Sequence, residues 1–257
     1  MEILIISFVA FLTAILTFFS GFGLGTILLP AFMLFFPVEI AIALTGIVHF
    51  TNNVFKIFLV QKSINREVLL KFGLPAIIFS FLGAWVLFQI SYLPSVYSYN
   101  LFSNEFTITP IKLTIAIILL VFSILEMIPS LRKIEFSRDK LFIGGILSGF
   151  FGGLSGIQGA IRSAFLIKSG LTKESYIATG VAIACLIDFS RLSVYTGNLL
   201  NINIYENLTI IIFAVLAAIL GSLLGNKFLK KITLNFIHNV VAILLILISI
   251  GLGSGLL

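Results

Sequence analysis

Gly144-Gly145-Ile146-Leu147-Ser148-Gly149-Phe150-Phe151-Gly152-Gly153-Leu154-Ser155-Gly156-Ile157-Gln158-Gly159 interrupts a long hydrophobic segment. A shorter stretch of the same kind, Gly21-Phe22-Gly23-Leu24-Gly25, interrupts the first one. Glycine lowers helix propensity and bares backbone polar groups. Inside a bilayer such groups are tolerated only where protein or a water-filled cavity satisfies them. Two broken segments therefore mark the places where this chain departs from plain membrane helices.

Everything around the breaks is apolar. Of 257 residues, 60% are hydrophobic and 10% charged, with a mean hydropathy of +1.20. A soluble domain carries about 25% charged residues. A helical span needs about 20 mostly apolar residues. Eight segments qualify, near 3–36 (interrupted), 38–60, 72–92, 109–130, 141–167 (interrupted), 174–196, 208–226 and 235–256. The chain is thus expected to be an all-α polytopic membrane protein, embedded in the lipid bilayer of the cell membrane. The net charge of +6 sits mostly in short loops and does not indicate nucleic-acid binding. Cys185 is the single cysteine and lies in an apolar run, which excludes a disulfide framework or a cysteine metal site. Met1-Glu2-Ile3-Leu4 lacks the basic start of a cleavable signal peptide, so the N-terminus is expected to stay as membrane helix.

Basic residues set the sidedness. Lys62, Arg66 and Lys71 belong in the cytoplasm, as do Arg132, Lys133, Arg138 and Lys140, and two crossings separate these groups. If segment 141–167 crossed once, Lys168, Lys173, Lys227, Lys230 and Lys231 would face outside. If it enters and returns, all five face inside. The second arrangement places 12 of the 16 basic residues in the cytoplasm. Segment 141–167 is therefore expected to be a hairpin of two half-helices. The same logic applied to 3–36 puts both termini outside.

Each half then reads as a broken, re-entrant hairpin followed by three transmembrane helices. An odd number of crossings inverts the second unit relative to the first. Residues 1–130 form the first repeat, 131–140 a cytoplasmic linker and 141–257 the second, inverted repeat. Thr45-Gly46 and Thr179-Gly180 recur at an offset of 134. Asn53 and Asp188, like Lys56 and Arg191, recur at 135. Inverted repeats with discontinuous helices are an architecture of secondary transporters, with the substrate near the midplane.

Gly21-Phe22-Gly23-Leu24-Gly25-Thr26-Ile27-Leu28-Leu29-Pro30, followed by Ala43-Leu44-Thr45-Gly46, resembles the first signature of the TauE/SafE sulfite exporter family. Gly153-Leu154-Ser155-Gly156-Ile157-Gln158-Gly159, with Gly170-Leu171-Thr172-Lys173-Glu174 and Ala178-Thr179-Gly180, is similar to the second. The resemblance implies transport, usually outward, of a small anion containing oxidised or organic sulfur. Two departures fall at the presumed substrate site. The family's glycine triplet reads Gly23-Leu24-Gly25, and Gln158 and Arg162 stand where small residues or proline are commoner.

Arg162 follows the second break within a few residues. A charge at the centre of a membrane helix costs about 2.5–3.5 kcal/mol on insertion scales, which makes it a functional candidate. Its planar fork matches sulfonate, sulfite or carboxylate. The plain alternative is snorkelling to the cytoplasmic surface. Asp188 and Arg191 lie three apart on one helix face and can pair. They either bridge helices structurally, or Arg191 binds the anion while Asp188 tunes it or carries a proton. His49, Asn52, Asn53 and Lys56 recur at helical spacing and line a cavity or glue helices together. Lys56 alternatively snorkels, and His49 is a proton carrier or a satisfied hydrogen-bonder. The half-helix beginning near Gly156–Gly159 aims the amides of Ile157, Gln158 and Gly159 at the turn, where Gln158 and Ser163 add donors. Gly23, Gly25 and Thr26 are the counterparts in the first repeat. The competing account of these glycines is tight helix crossing.

No HExxH, CxxC, GxSxG or Walker motif occurs. His49 and His238 are too distant in sequence to suggest a metal pair, and His238 reads as interfacial. No enzyme activity, cofactor or metal is expected. The reading is a secondary transporter of a small anionic substrate working by alternating access, with homo-oligomerisation left open. An anion channel, an importer, and a membrane-embedded enzyme or accessory subunit are the alternatives.

Overall fold

The computed structural model describes residues 1–17, 24–101, 104–132, 134–198, 206–228 and 234–257. Its helices follow the apolar segments. The first interrupted segment becomes α1 (Glu2–Thr17) and α2 (Leu24–Met33), and α3 (Val38–Val60), α4 (Arg66–Ser91) and α5 (Pro110–Met127) follow. A one-turn α6 (Pro129–Arg132) precedes the second interrupted segment, which divides into α7 (Leu141–Ser155) and α8 (Gly159–Leu166). The chain then runs through α9 (Lys173–Asn198), α10 (Leu208–Phe228) and α11 (Leu234–Ser254). Five stretches among the described residues are long and apolar enough to cross a membrane: Val38–Ser63, Arg66–Ser91, Pro110–Met127, Lys173–Tyr195 and Leu208–Gly225. The protein is an all-α polytopic membrane protein.

Two local departures have physical causes. Helix α4 starts six residues ahead of the apolar run expected at 72. The Asn65 side chain caps it by accepting the Val68 amide at 3.0 Å, so the polar turn Arg66–Lys71 is already helical. The loop before α5 holds an unexpected antiparallel hairpin of β1 (Tyr97–Leu101) and β2 (Asn104–Ile108). Its signal was a brief alternation of Tyr97, Tyr99 and Leu101 with polar residues. Tyr99 opposes Phe106 with ring centroids 5.5 Å apart, and its hydroxyl donates to Ser254 O at 2.6 Å. The hairpin thus rests on the end of α11.

The second interrupted segment returns on itself. Phe136, ahead of α7, donates its amide to Ala164 O at 2.9 Å, and its ring stacks on Phe165 at 4.1 Å. Gly144 at the head of α7 faces Phe165 at the end of α8, while Gly152 near its foot faces Gln158. Antiparallel contacts along α7 and α8 define a helical hairpin. Gly156 makes the turn with φ +78°, a left-handed conformation that ends α7 at low cost only for glycine.

Three glycines of that segment have a different task. Gly145, Gly149 and Gly153 lie against the backbones of Phe72, Ala76 and Ser80 on α4. Both series advance by four residues, so α4 and α7 run in parallel with backbones nearly touching. Van der Waals contact of this kind drives helix association where lipid removes the hydrophobic effect. Gly221 of α10 approaches the Phe11 backbone of α1 in the same way. Tight crossing therefore accounts for the Gly145–Gly153 series, and chain reversal for Gly156.

The basic loops gather at one end. Glu67 pairs with Lys71 at 2.9 Å and with Arg138 at 2.7 Å, and Lys168 pairs with Glu135 at 3.2 Å. These bonds join the connections around 61–67, 131–140 and 168–173. The chain has the hairpin β1–β2 on α11 at a site separate from them.

Candidate functional site

Helices α3 and α9 pack against each other in antiparallel fashion. Gly46 lies against Arg191 and Leu192, and His49 bonds Asp188. Toward the basic-loop end, the Asn65 amide donates to Thr179 Oγ1 at 2.9 Å. The turn at Gly156 enters this crossing from α7–α8. Gly25, at the start of α2, enters from the other break. A methyl group at Gly25 would touch Gly156 O at 3.4 Å, Thr45 at 3.6 Å and His49 at 3.8 Å. Gly25 and the Gly156 turn therefore meet beside the polar face of α3.

A continuous polar chain occupies the crossing. Asp188 Oδ2 lies 2.5 Å from His49 Nδ1. Asp188 Oδ1 accepts Arg191 Nε at 2.9 Å and Gln158 Nε2 at 3.2 Å. Gln158 Oε1 in turn accepts Arg162 Nη1 at 3.0 Å. On the other side of His49, Asn53 Nδ2 lies 3.2 Å from the ring. With the hydrogen of neutral His49 on Nδ1, the ring donates to Asp188 and accepts from Asn53 through Nε2. Each of these side chains makes at least one bond within the chain.

The placement tests the sequence expectations one by one. Arg162, Gln158, Asp188, Arg191, His49 and Asn53 join in that chain. Arg162 is only 6% exposed and Lys56 5%, so neither snorkels. Lys56 lies near Arg162 and Cys185. Gly25 closes on the second break, and the buried Thr26 hydroxyl beside it has no hydrogen-bond partner. Asn52 accepts from Ser222 of α10 at 2.8 Å and so joins helices, while its Nδ2 is unpaired. Gly159 opens α8, and Ser163 lies half-buried within it. The Ile157 amide, expected to face an anion, instead donates to Ser155 Oγ at 3.3 Å. A short Ser-x-Ile turn consumes that donor. Gly23 and the His238 side chain lie outside the described residues.

Other residues belong to the site without having been singled out. Gly46 and Gly156 flank the Arg191 guanidinium, and Gly180 faces Arg162 Nε at 3.7 Å. The Thr45–Gly46 and Thr179–Gly180 recurrence was the visible trace of two of them. Tyr195 lies one turn beyond Arg191 and donates to Gly153 O at 2.6 Å, tying α9 to the foot of α7. Among the described residues, no group of His, Cys, Asp and Glu has metal-site spacing.

The electrostatics favour an anion. Lys56, Arg162 and Arg191 are buried, and Asp188 is the carboxylate that joins the polar chain among them. Buried charge without full compensation is costly. Arg191 Nη1 and Nη2 make no hydrogen bond, although Nη2 stands 2.9 Å from Asp188 Oδ1. A desolvated guanidinium with spare donors matches a small oxyanion in charge and shape.

Membrane helices enclosing a charged, broken-helix interior define the class of polytopic membrane transport proteins. Residues 6–252 match the family of the sulfite exporter TauE/SafE, and the chain belongs to that family. Its members are exporters of sulfite and related sulfur anions. No curated protein and no solved structure matches the chain.

Proposed function

We propose that this protein is a secondary transporter that exports a small sulfur-containing anion, sulfite or an organosulfonate, across the cell membrane by alternating access. The observation that carries the reading is the meeting of the two breaks, Gly25 against Gly156 O, beside the buried Arg191. Family membership supports sulfur-anion export as the activity and transport rather than catalysis as its kind. Outward movement of an anion from a negative-inside cell is downhill by about 2.3 kcal/mol per charge per 100 mV. Export then needs no coupled ion.

The two-repeat organisation has support in the packing. Exchange of α1–α5 with α7–α11 turns the α4–α7 pair into the α10–α1 pair, and both are tightly packed. The α3–α9 and α5–α11 pairs map onto themselves. Rocking of residues 1–130 against 141–257 about the α3–α9 crossing would expose the site alternately. The gathered basic loops support a cytoplasmic placement of that end.

Efflux of labelled sulfite, thiosulfate, sulfoacetate and sulfate from proteoliposomes tests the function. Saturable efflux and counter-transport are expected for at least one of them. Non-saturating flux without counter-transport would replace the transporter by a channel, and turnover without flux would replace it by an enzyme. Arg162→Gln should abolish flux while leaving insertion intact. Wild-type flux in R162Q would remove Arg162 from the site.

A further inference from the structure

We propose that the anion path holds two seats in series, one between Lys56 and Arg162 and one at Arg191, separated by the His49–Asp188–Gln158 bridge. This rests on the anion-transport reading above and adds to it an order of occupancy.

The α3–α9 crossing provides the axis. Along it, Gly46 lies against Arg191, His49 meets Asp188, and Asn65 reaches Thr179 at the basic-loop end. Gly46 is one helical step from His49 on one side, about 4.5 Å along the axis at 1.5 Å per residue. Lys56 is seven residues from His49 on the other side, about 10 Å along the axis. The cations thus stand on opposite sides of the His49–Asp188 pair.

The side chains between them keep the seats apart. Arg162 is joined to Arg191 through Gln158 and then Asp188, by bonds of 3.0, 3.2 and 2.9 Å. A single small anion touching both guanidiniums would have to displace that bridge. Each guanidinium also has glycine beside it: Gly46 and Gly156 at Arg191, Gly180 at Arg162. Gly46 and Gly180 occupy equivalent places in the Thr-Gly recurrence. At the far seat Arg191 Nη1 is buried without a hydrogen-bond partner, as are the hydroxyls of Thr26 and Thr45, the chain neighbours of Gly25 and Gly46.

The sequence of events follows from charge. An anion arriving from the basic-loop end meets Lys56 and Arg162 first. Its advance to Arg191 competes with Asp188, which holds the same guanidinium through Nε. Asp188 is a resident counter-anion that keeps Arg191 charged and buried between transport events, and it yields as the substrate arrives.

The test uses the full chain purified in detergent and reconstituted in liposomes, with labelled sulfite as probe for both equilibrium binding and efflux. R191Q should lose efflux by more than about 100-fold, the effect of removing a direct charge-assisted contact from a required seat. Its sulfite binding should weaken by no more than about tenfold, the through-space effect of one charge about 15 Å away at an effective dielectric of 20. The double variant K56Q/R162Q should weaken binding by more than about 100-fold. If R191Q does not fold, R191K keeps the charge while losing the fork, and the same split between retained binding and lost efflux is expected. Equal loss of binding in the Arg191 variant and in K56Q/R162Q would overturn the two seats in favour of one shared site. Absence of binding and flux with sulfite, thiosulfate, sulfoacetate and sulfate alike would overturn the transport reading and this inference together.

Discussion

At Gly156 a single backbone angle governs two things at once. Its φ of +78° turns the chain between α7 and α8, and a methyl there would meet Arg191 Nη1 at 2.6 Å. Gly156→Ala should cost about 1–2 kcal/mol in backbone strain. It should also push the guanidinium aside, so flux should fall further than thermal stability does. Gly170 has nearly the same angle, φ +77°, with open space around it. Gly170→Ala should therefore show the strain without the loss of flux, and equal flux defects in the two variants would sink the argument. Asp188 allows a sharper separation of stability from function. Truncating one partner of a buried ion pair typically costs about 3–5 kcal/mol, whereas replacing both by apolar residues is often neutral. D188L alone should unfold at markedly lower temperature than the double variant D188L/R191M, and neither should move anions. Equal thermal stability of the single and double variants would show that the pair is not what Asp188 contributes. At this scale the sequence named Arg162, Asp188, Arg191, His49 and Asn53 from charge or polarity in apolar runs. It did not distinguish Gly156 from its neighbours, because a positive φ leaves no mark beyond glycine itself.

The helices divide into those that hold the site and those that hold the scaffold. Helices α3, α8 and α9 carry the buried cations and the carboxylate, while α4 and α7 meet along a seam of small residues. A side chain at Gly149 would collide with the Ala76 backbone, which cannot move without displacing α4. Gly149→Val should destabilise by about 1–3 kcal/mol, the usual range for overpacking, read as a lower unfolding temperature in detergent. Gly221→Val should do the same at the α1–α10 contact, where the Phe11 backbone is the obstacle. Unchanged stability in both would mean that the helices are held elsewhere. The helical segments themselves were legible from hydropathy, because twenty apolar residues in a row have few other uses. The β1–β2 hairpin was not, since its alternating run spans only five residues a strand and its main anchor is Ser254 of α11, far away in the chain.

For the whole molecule the central claim is sidedness. Glu67, Arg138, Glu135 and Lys168 tie three basic connections together, so one aqueous phase should reach all of them. Single cysteines placed at Lys62, Arg138 and Lys168 in a C185A background should react with an impermeant thiol reagent from the same side. A cysteine at Asn104 should react only from the other side. Labelling of Asn104 together with the three would break the proposed topology. Hydropathy, the basic loops, the two breaks and the Thr-Gly recurrence are linear properties, legible in the chain together with the all-α membrane class. That His49 meets Asp188 across 139 positions, that Gly25 closes on Gly156 and that Ile157 spends its amide on Ser155 became visible in the folded molecule. These contacts depend on where helices cross and how closely their backbones approach. A periodic pattern specifies which face of a helix is polar, but the crossing selects the partner that face will meet.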